Sequence, residues 1–241
     1  MKIIHVAGWS GSGKTTFILD LVAALSKIGL VGTVKHIGEH ICDLPLGKDT
    51  TRHYDAGAFI TAGIDLEKTM ISCRSISLSS ALDLLSDAGA RYAIVEGFKA
   101  IPFAKVVIGD LDTPALLRNP SVSDVIGLLS NFDDYYTLAG MVYEVEGEPG
   151  DGVLYTMTGF ADASLPPDDY LCLEEEIRWR EGITGVRVRV NPTVIQESAR
   201  FFVVIRAKNT SSGMLALARC ESMIFVDYQS TMKAGQESIR R

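Results

Sequence analysis

The chain has 241 residues, of which 47% are hydrophobic and 22% charged, and a net charge of −7. That length suits one large domain or two small ones, with enough apolar material to bury a core without disulfides or a structural metal. The acidic balance argues against the broad basic surface that grips nucleic acid or an anionic membrane, while leaving room for a local cationic site for phosphates.

The four cysteines, Cys42, Cys73, Cys172 and Cys220, are scattered without a CxxC pair and read as free thiols. The opening MKIIHVAGWSGSGK turns glycine-rich before any signal-peptide core develops. No apolar run approaches the roughly 20 residues that cross a bilayer. The expectation is a cytoplasmic protein.

In chain order, residues 2–7 predict a buried strand, and a glycine-rich turn leads into a helix over 14–27. Phe17, Leu21, Ala24, Leu25 and Ile28 recur there at three- and four-residue steps. Residues 30–35 predict a second strand, which completes a βαβ unit and so implies parallel pairing. Residues 36–57 read as a polar, irregular stretch containing His36, His40, Asp43, Lys48 and Asp49. Short strands are expected over 58–61 and 68–73, a helix over 77–88, and a fully apolar central strand over 92–96. Two further strands are expected over 105–108 and 125–129.

The alternating α/β pattern gives way near Asp133 to an α+β pattern, so the chain divides into residues 1–134 and 135–241. In the second part, strands over 141–145 and 153–158 flank the turn-rich run 147–152 and predict a hairpin. A helix of about a dozen residues should follow Pro166-Pro167-Asp168-Asp169, whose proline and acid suit a first turn. Strands are expected over 186–190 and 200–207, then a last helix to about Met232 capped by Ser211 or Ser212. The fold class is thus a P-loop-type, mostly parallel α/β sheet with flanking helices, followed by a smaller α+β domain.

The chemistry lies in Gly8-Trp9-Ser10-Gly11-Ser12-Gly13-Lys14-Thr15, which fits GxxxxGK[ST] at every fixed position. The glycines allow backbone angles at which successive N–H groups point at one anion. The helix that follows presents its free N–H groups and positive dipole end to the same anion. Lys14 adds a cation near the β- and γ-phosphates, Thr15 offers a hydroxyl to Mg²⁺, and Thr16 can donate to a phosphate.

A strand-end acid normally supports the magnesium shell, and Glu96 occupies that place, ahead of Gly97-Phe98-Lys99. Its bland alternative is a solvated carboxylate. His36 and His40 are four apart, but Gly38 between them argues against the helix a shared metal would need. Asp49 falls in a loop within reach of a γ-phosphate or a substrate.

Four segments together resemble one family: GWSGSGKTT (8–16), GTVKHIGEH (32–40), KDTTRHYDAGA (48–58) and IVEGFK (94–99). They are similar to the MobB family, the GTP-binding proteins of molybdopterin guanine dinucleotide biosynthesis, over about residues 1–130. The resemblance implies GTP binding with Mg²⁺, slow GTP hydrolysis, a homodimer, and assistance to a MobA-like molybdopterin guanylyltransferase, with molybdopterin itself a further candidate ligand. It assigns phosphate binding to Gly11, Ser12, Gly13, Lys14, Thr15 and Thr16, and Gly8 and Ser10 of the same motif join them as nucleotide-binding residues. Metal or switch roles fall to Asp49 and Glu96, and loop roles to His36 and Gly97. Guanine over adenine rests on the resemblance alone.

The second half resembles the MoaE family, the large subunit of molybdopterin synthase, along 199–208, 211–232 and Val226-Asp227-Tyr228. Its Ser-x-His-Arg falls on Ser212-Gly213-Met214-Leu215, its first lysine on Ser230 and its second near Glu237. A site for a phosphorylated pterin needs cations, which these positions lack, so synthase activity is not expected. No arginine finger is evident in cis, Arg52 being a distant candidate, so the chain is at most a slow GTPase. Two alternatives remain: a P-loop small-molecule kinase using Asp49 or Glu96 as base, or a non-enzymatic scaffold for pterin or partner enzymes.

Overall fold

The computed structural model describes residues 1–38, 44–45, 47–146, 150–161, 167–192 and 199–238, without the side chains of 161, 167–168 and 225–238. The chain runs β1 (Lys2–Gly8), α1 (Lys14–Leu25), β2 (Val31–Lys35), α2 (Asp49–Asp55), β3 (Ile60–Ile64), β4 (Thr69–Cys73), α3 (Leu78–Asp87), β5 (Tyr92–Glu96), β6 (Lys105–Ile108), β7 (Leu117–Arg118) and α4 (Val122–Gly127). It continues with α5 (Leu138–Glu146), β8 (Val153–Ala161), α6 (Pro167–Arg178), β9 (Ile183–Val190), β10 (Ala199–Ala207) and α7 (Thr210–Ser238).

Five strands form a parallel sheet in the order β2-β5-β1-β6-β7. β1 and β5 are buried on both faces, which is why they read as unbroken apolar runs. On one face α1 seats Ile18, Leu21 and Leu25 against Ile4, Val6, Ile94 and Val106. On the other, Leu78 and Leu82 of α3 meet Ile3, Ala93, Val95, Phe103 and Tyr135. Ile28, expected on the inner face of α1, lies beyond the helix end and is exposed, whereas Ile18 takes a core place. The register sets Glu96 beside both Val6 and Lys35, so β1, β2 and β5 end along one edge of the sheet.

Several expected elements take another form. Residues 125–129 are not a strand; α4 starts at a capping box in which Ser121 Oγ accepts from Asp124 N–H while the Asp124 carboxylate accepts from Ser121 N–H. Those two bonds satisfy otherwise free helix donors, and Val125 turns into the core beneath α1. Residues 141–145 are also helical, within α5, where Thr137 Oγ1 accepts from Gly140 N–H. Met141 and Val145, four apart, point the same way, a helical period that a five-residue run hides.

No hairpin therefore joins 141–145 to 153–158; β8 pairs antiparallel with β10, and β10 with β9. The intervening 147–149, like 39–43 with His40, Cys42 and Asp43, lies outside the described residues. The stretch 36–57 contains helix α2, and the first hairpin strand begins at Ile60 rather than residue 58. The last helix is capped not by Ser211 or Ser212 but by Asn209, whose side-chain oxygen accepts from Ser212 N–H at 2.9 Å. It extends to Ser238 rather than Met232.

Side chains of β10 alternate: Phe201, Val203 and Ile205 face α6 and α7, while Phe202 and Val204 face α5. A polar knot ties the three-stranded sheet to α3. Arg200 of β10 donates to both carboxylate oxygens of Asp83 on α3, at 2.9 and 2.5 Å. Tyr135 O–H donates to the same carboxylate at 2.9 Å, and burial together with Asp83 raises its phenol above the ordinary value. Asn191 clamps the Tyr136 backbone, accepting from its N–H and donating to its C=O.

Removing the carboxylate would strand a half-buried guanidinium against Tyr135 and Phe202. Asp83→Ala should therefore cost about 2 kcal/mol in urea denaturation, below the full cost of a fully buried pair because both partners keep some water contact. A change under about 0.5 kcal/mol would put the knot among ordinary surface pairs.

Candidate functional site

The loop between β1 and α1 starts where a side chain cannot fit. A Cβ on Gly8 would lie 2.3 Å from the Ile108 carbonyl oxygen, so the loop leaves the sheet in backbone contact with β6. Gly11 and Gly13 then take φ of +76° and +89°, the left-handed region, with open space where their Cβ atoms would be. Left-handed angles at both glycines curl the chain, and Gly13 caps α1 without a side-chain partner. The first-turn N–H groups of α1 are thus left for an anion.

Lys14 folds back across this loop, its Nζ donating to the Trp9 carbonyl at 2.5 Å. Ser12 Oγ is buried with no hydrogen-bond partner among the described residues. A buried orphan hydroxyl costs about 1–3 kcal/mol unless something outside the chain satisfies it. Ser10, Thr15 and Thr16 are exposed around the same mouth. The cradle, the orphan hydroxyl, the cation and the open helix end fit a polyphosphate.

Glu96 ends β5 with its side chain 15% exposed and 3.5 Å from Lys35 Nζ. After it come two left-handed residues and a turn closed by Ile101 N–H donating to the Phe98 carbonyl. Gly97 has φ +92°, and a Cβ there would meet the His36 Cβ at 2.8 Å. Phe98 follows at φ +46°, rare for a bulky side chain. The turn is held from three directions: Gly97 N–H donates to Val6, His36 N–H donates to Glu96, and the Phe98 ring stacks on the His36 ring at 4.7 Å. His36 is thereby brought to the site as a packing partner of the Glu96 turn.

Asp49 is not in a loop. It occupies the first turn of α2, exposed, with an ion pair to Arg52 of the same helix at 3.6 Å. An acid in a helix first turn is favoured by the dipole, which suits Asp49 to this position. Among the described residues no cluster of three or more His, Cys, Asp or Glu side chains suits a metal ion. A magnesium held here would need oxygens from its own phosphate ligand as well as from Thr15 and Glu96.

Two contributors escaped the motif. His5, fully buried in β1, donates from Nε2 to the Gly97 carbonyl at 2.6 Å, and its Nδ1 has no partner among the described residues. A histidine in an otherwise Ile/Val strand was the available signal. Trp9 is the second: its ring, half exposed, carries Lys99 Nζ 3.9 Å from the ring centroid.

Burial pushes His5 down from its ordinary 6.5 to about 4, against the opposing Gly97 hydrogen bond. The unfolded chain takes up its proton near 6.5 and the folded chain only near 4. The stability that neutral His5 supports is therefore whole above pH 6.5 and lost as pH falls toward 4, by about 3 kcal/mol in all. His5→Gln can keep the bond to Gly97 without titrating. Urea midpoints of the two proteins should diverge across that window; parallel curves would contradict the assignment.

Residues 3–130 match the family described as molybdopterin guanine dinucleotide synthesis protein B, MobB. A Methanocaldococcus jannaschii protein, provisionally named a molybdopterin-guanine dinucleotide biosynthesis adapter protein, is 35% identical over 99 residues, 41% of this chain and 42% of that one. A Bacillus subtilis protein with the same provisional name is 36% identical over 110 residues, 44% of this chain and 64% of that one. The alignments thus span between about two fifths and two thirds of these relatives. The crystal structure of Bacillus subtilis MobB aligns with TM-score 0.42 and 28% identity, covering 49% of this chain and 77% of that one. Since the match takes in more than half of the 241 residues, the chain belongs to the MobB family.

Proposed function

We propose that residues 1–134 bind GTP with Mg²⁺ and that the chain is an accessory protein of molybdenum cofactor biosynthesis, assisting formation of the guanine dinucleotide form of molybdopterin. The observation that carries this reading is the left-handed Gly11/Gly13 loop ahead of α1, with Lys14 drawn across it and Ser12 Oγ unpartnered. Family membership supports the pathway, and the relatives' names support an adapter role.

In this reading Gly8, Ser10, Gly11, Ser12 and Gly13 line the phosphate cradle. Lys14 leaves the Trp9 carbonyl for the β- and γ-phosphates, and Thr16 donates to a phosphate. Thr15 and Glu96 serve the metal, which neutralises phosphate charge when bound. Hydrolysis is slow, because Arg52 is exposed and engaged by Asp49. Guanine specificity follows the family.

The partner is a MobA-like guanylyltransferase, and molybdopterin is a further candidate ligand. The setting is the cytoplasm, consistent with no helix among the described residues being long and apolar enough to cross a membrane. Residues 135–241 form the accessory α+β module, MoaE-like in descent but without synthase activity, since Ser212, Gly213, Met214 and Leu215 supply no cation.

A homodimer fits the β3–β4 ribbon. Ile60, Ala62 and Ile64 share one face with Ile71 across the register, and all four are exposed. A two-stranded ribbon is marginal by itself, and an apolar face of this kind is ordinarily covered.

Calorimetric titration should give micromolar GTP binding that needs Mg²⁺ and weakens more than tenfold in Lys14→Ala, since a charge-assisted phosphate contact is lost. Equal binding by the variant would remove Lys14 from the site. Ile64→Asp should shift the light-scattering mass from dimer to monomer while leaving GTP affinity unchanged; an unaltered dimer would move the interface off the ribbon.

A further inference from the structure

Two lysines converge on one P-loop residue. Lys14 holds the Trp9 carbonyl, and Lys99 rests on the Trp9 ring. Lys99 is exposed, and among the described residues its recorded partner is that ring rather than a carboxylate. A cation on an exposed indole face is held by about 0.5–1 kcal/mol, much less than a phosphate oxygen would offer. The lysine is parked rather than committed.

Its position is not left to a floppy loop. Lys99 directly follows the left-handed pair Gly97 and Phe98, which His5 anchors from below and His36 packs from the side. A bulky residue at φ +46° persists only where its surroundings over-determine it, and such turns gather at functional sites. Glu96 precedes and Lys99 follows this left-handed pair, so the acid and the second cation are positioned by the same short segment.

We propose that Lys99 is a third-phosphate recognition residue: it leaves the Trp9 ring for the γ-phosphoryl group of a bound nucleoside triphosphate and so discriminates triphosphate from diphosphate. This deepens, and rests on, the reading of residues 8–16 as a nucleotide site. Lys14 is shared by the β- and γ-phosphates, whereas Lys99 reaches Trp9 from the segment after β5, the strand next to β1, and serves only the terminal group. Release of the cation uncovers the Trp9 face, so the tryptophan becomes a reporter of which nucleotide is bound. The chain has only one other tryptophan, Trp179, exposed just after α6, and Trp179→Phe isolates the signal.

The test uses the full chain with Mg²⁺, a non-hydrolysable GTP analogue and GDP. Lys99→Met keeps the stem of an exposed side chain and removes its charge. It should weaken the analogue about tenfold while GDP affinity stays within about twofold, and Lys99→Arg should restore most of the difference. In Trp179→Phe protein, Trp9 emission should change with both nucleotides as Lys14 leaves the Trp9 carbonyl, and clearly further with the analogue than with GDP; that extra change should vanish in Lys99→Met. Equal weakening of both nucleotides by Lys99→Met, or of neither, would overturn the proposal while leaving the nucleotide site intact. Failure of the unaltered chain to bind either nucleotide would remove the nucleotide site and this proposal with it.

Discussion

A strand that is buried on both faces runs into a helix through a loop that two left-handed glycines keep open, and every other feature of the site is arranged around that junction. Gly8 fixes where the loop leaves the sheet, because the Ile108 carbonyl leaves no space for a Cβ. Gly13 fixes how α1 begins, with no side chain occupying its first N–H groups. Without those constraints Lys14 would point anywhere; with them it lies across the loop it would share with an anion.

The sheet supplies the second half of the arrangement. Parallel pairing of β1 with β5 and of β5 with β2 brings Val6, Glu96 and Lys35 into one row. The carboxyl edge of a parallel sheet is where α/β proteins bind ligands, since the loops that leave it are free of core packing. Here the core reaches up to that edge through His5, a neutral buried imidazole that ties the first strand to the Gly97 turn. Packing and site therefore share residues, and a change in the protonation of one core histidine would be felt in the turn carrying Glu96 and Lys99.

Much of this was legible in the amino-acid sequence, for physical reasons. The P-loop spacing and the apolar runs of β1, β5 and β6 are dense local signals, and the MobB resemblance rested on four separated segments. What misled was short-range ambiguity. Residues 125–129 and 141–145 are mostly apolar stretches of five, interrupted by Gly127 and Glu144, whose period is decided by the caps at Ser121 and Thr137, not by the stretches themselves. Asp49 looked like a loop acid because α2 is only seven residues long. The Trp9–Lys99 contact and the Asp83–Arg200 knot join positions far apart in the chain, so no local pattern announces them.

The central claim is that the backbone N–H groups of residues 11–16 converge on a bound phosphate, Ser12 N–H giving up its 3.3 Å bond to the Trp9 carbonyl to do so. Amide chemical shifts of isotopically labelled protein, followed as Mg²⁺ and GTP are added, test it directly. The account predicts saturable shifts at Gly11, Ser12, Gly13, Lys14, Thr15 and Thr16, the largest in the molecule, together with a change in Trp9 as Lys14 leaves its carbonyl. Saturable shifts confined to other regions, with these six amides unmoved, would contradict it.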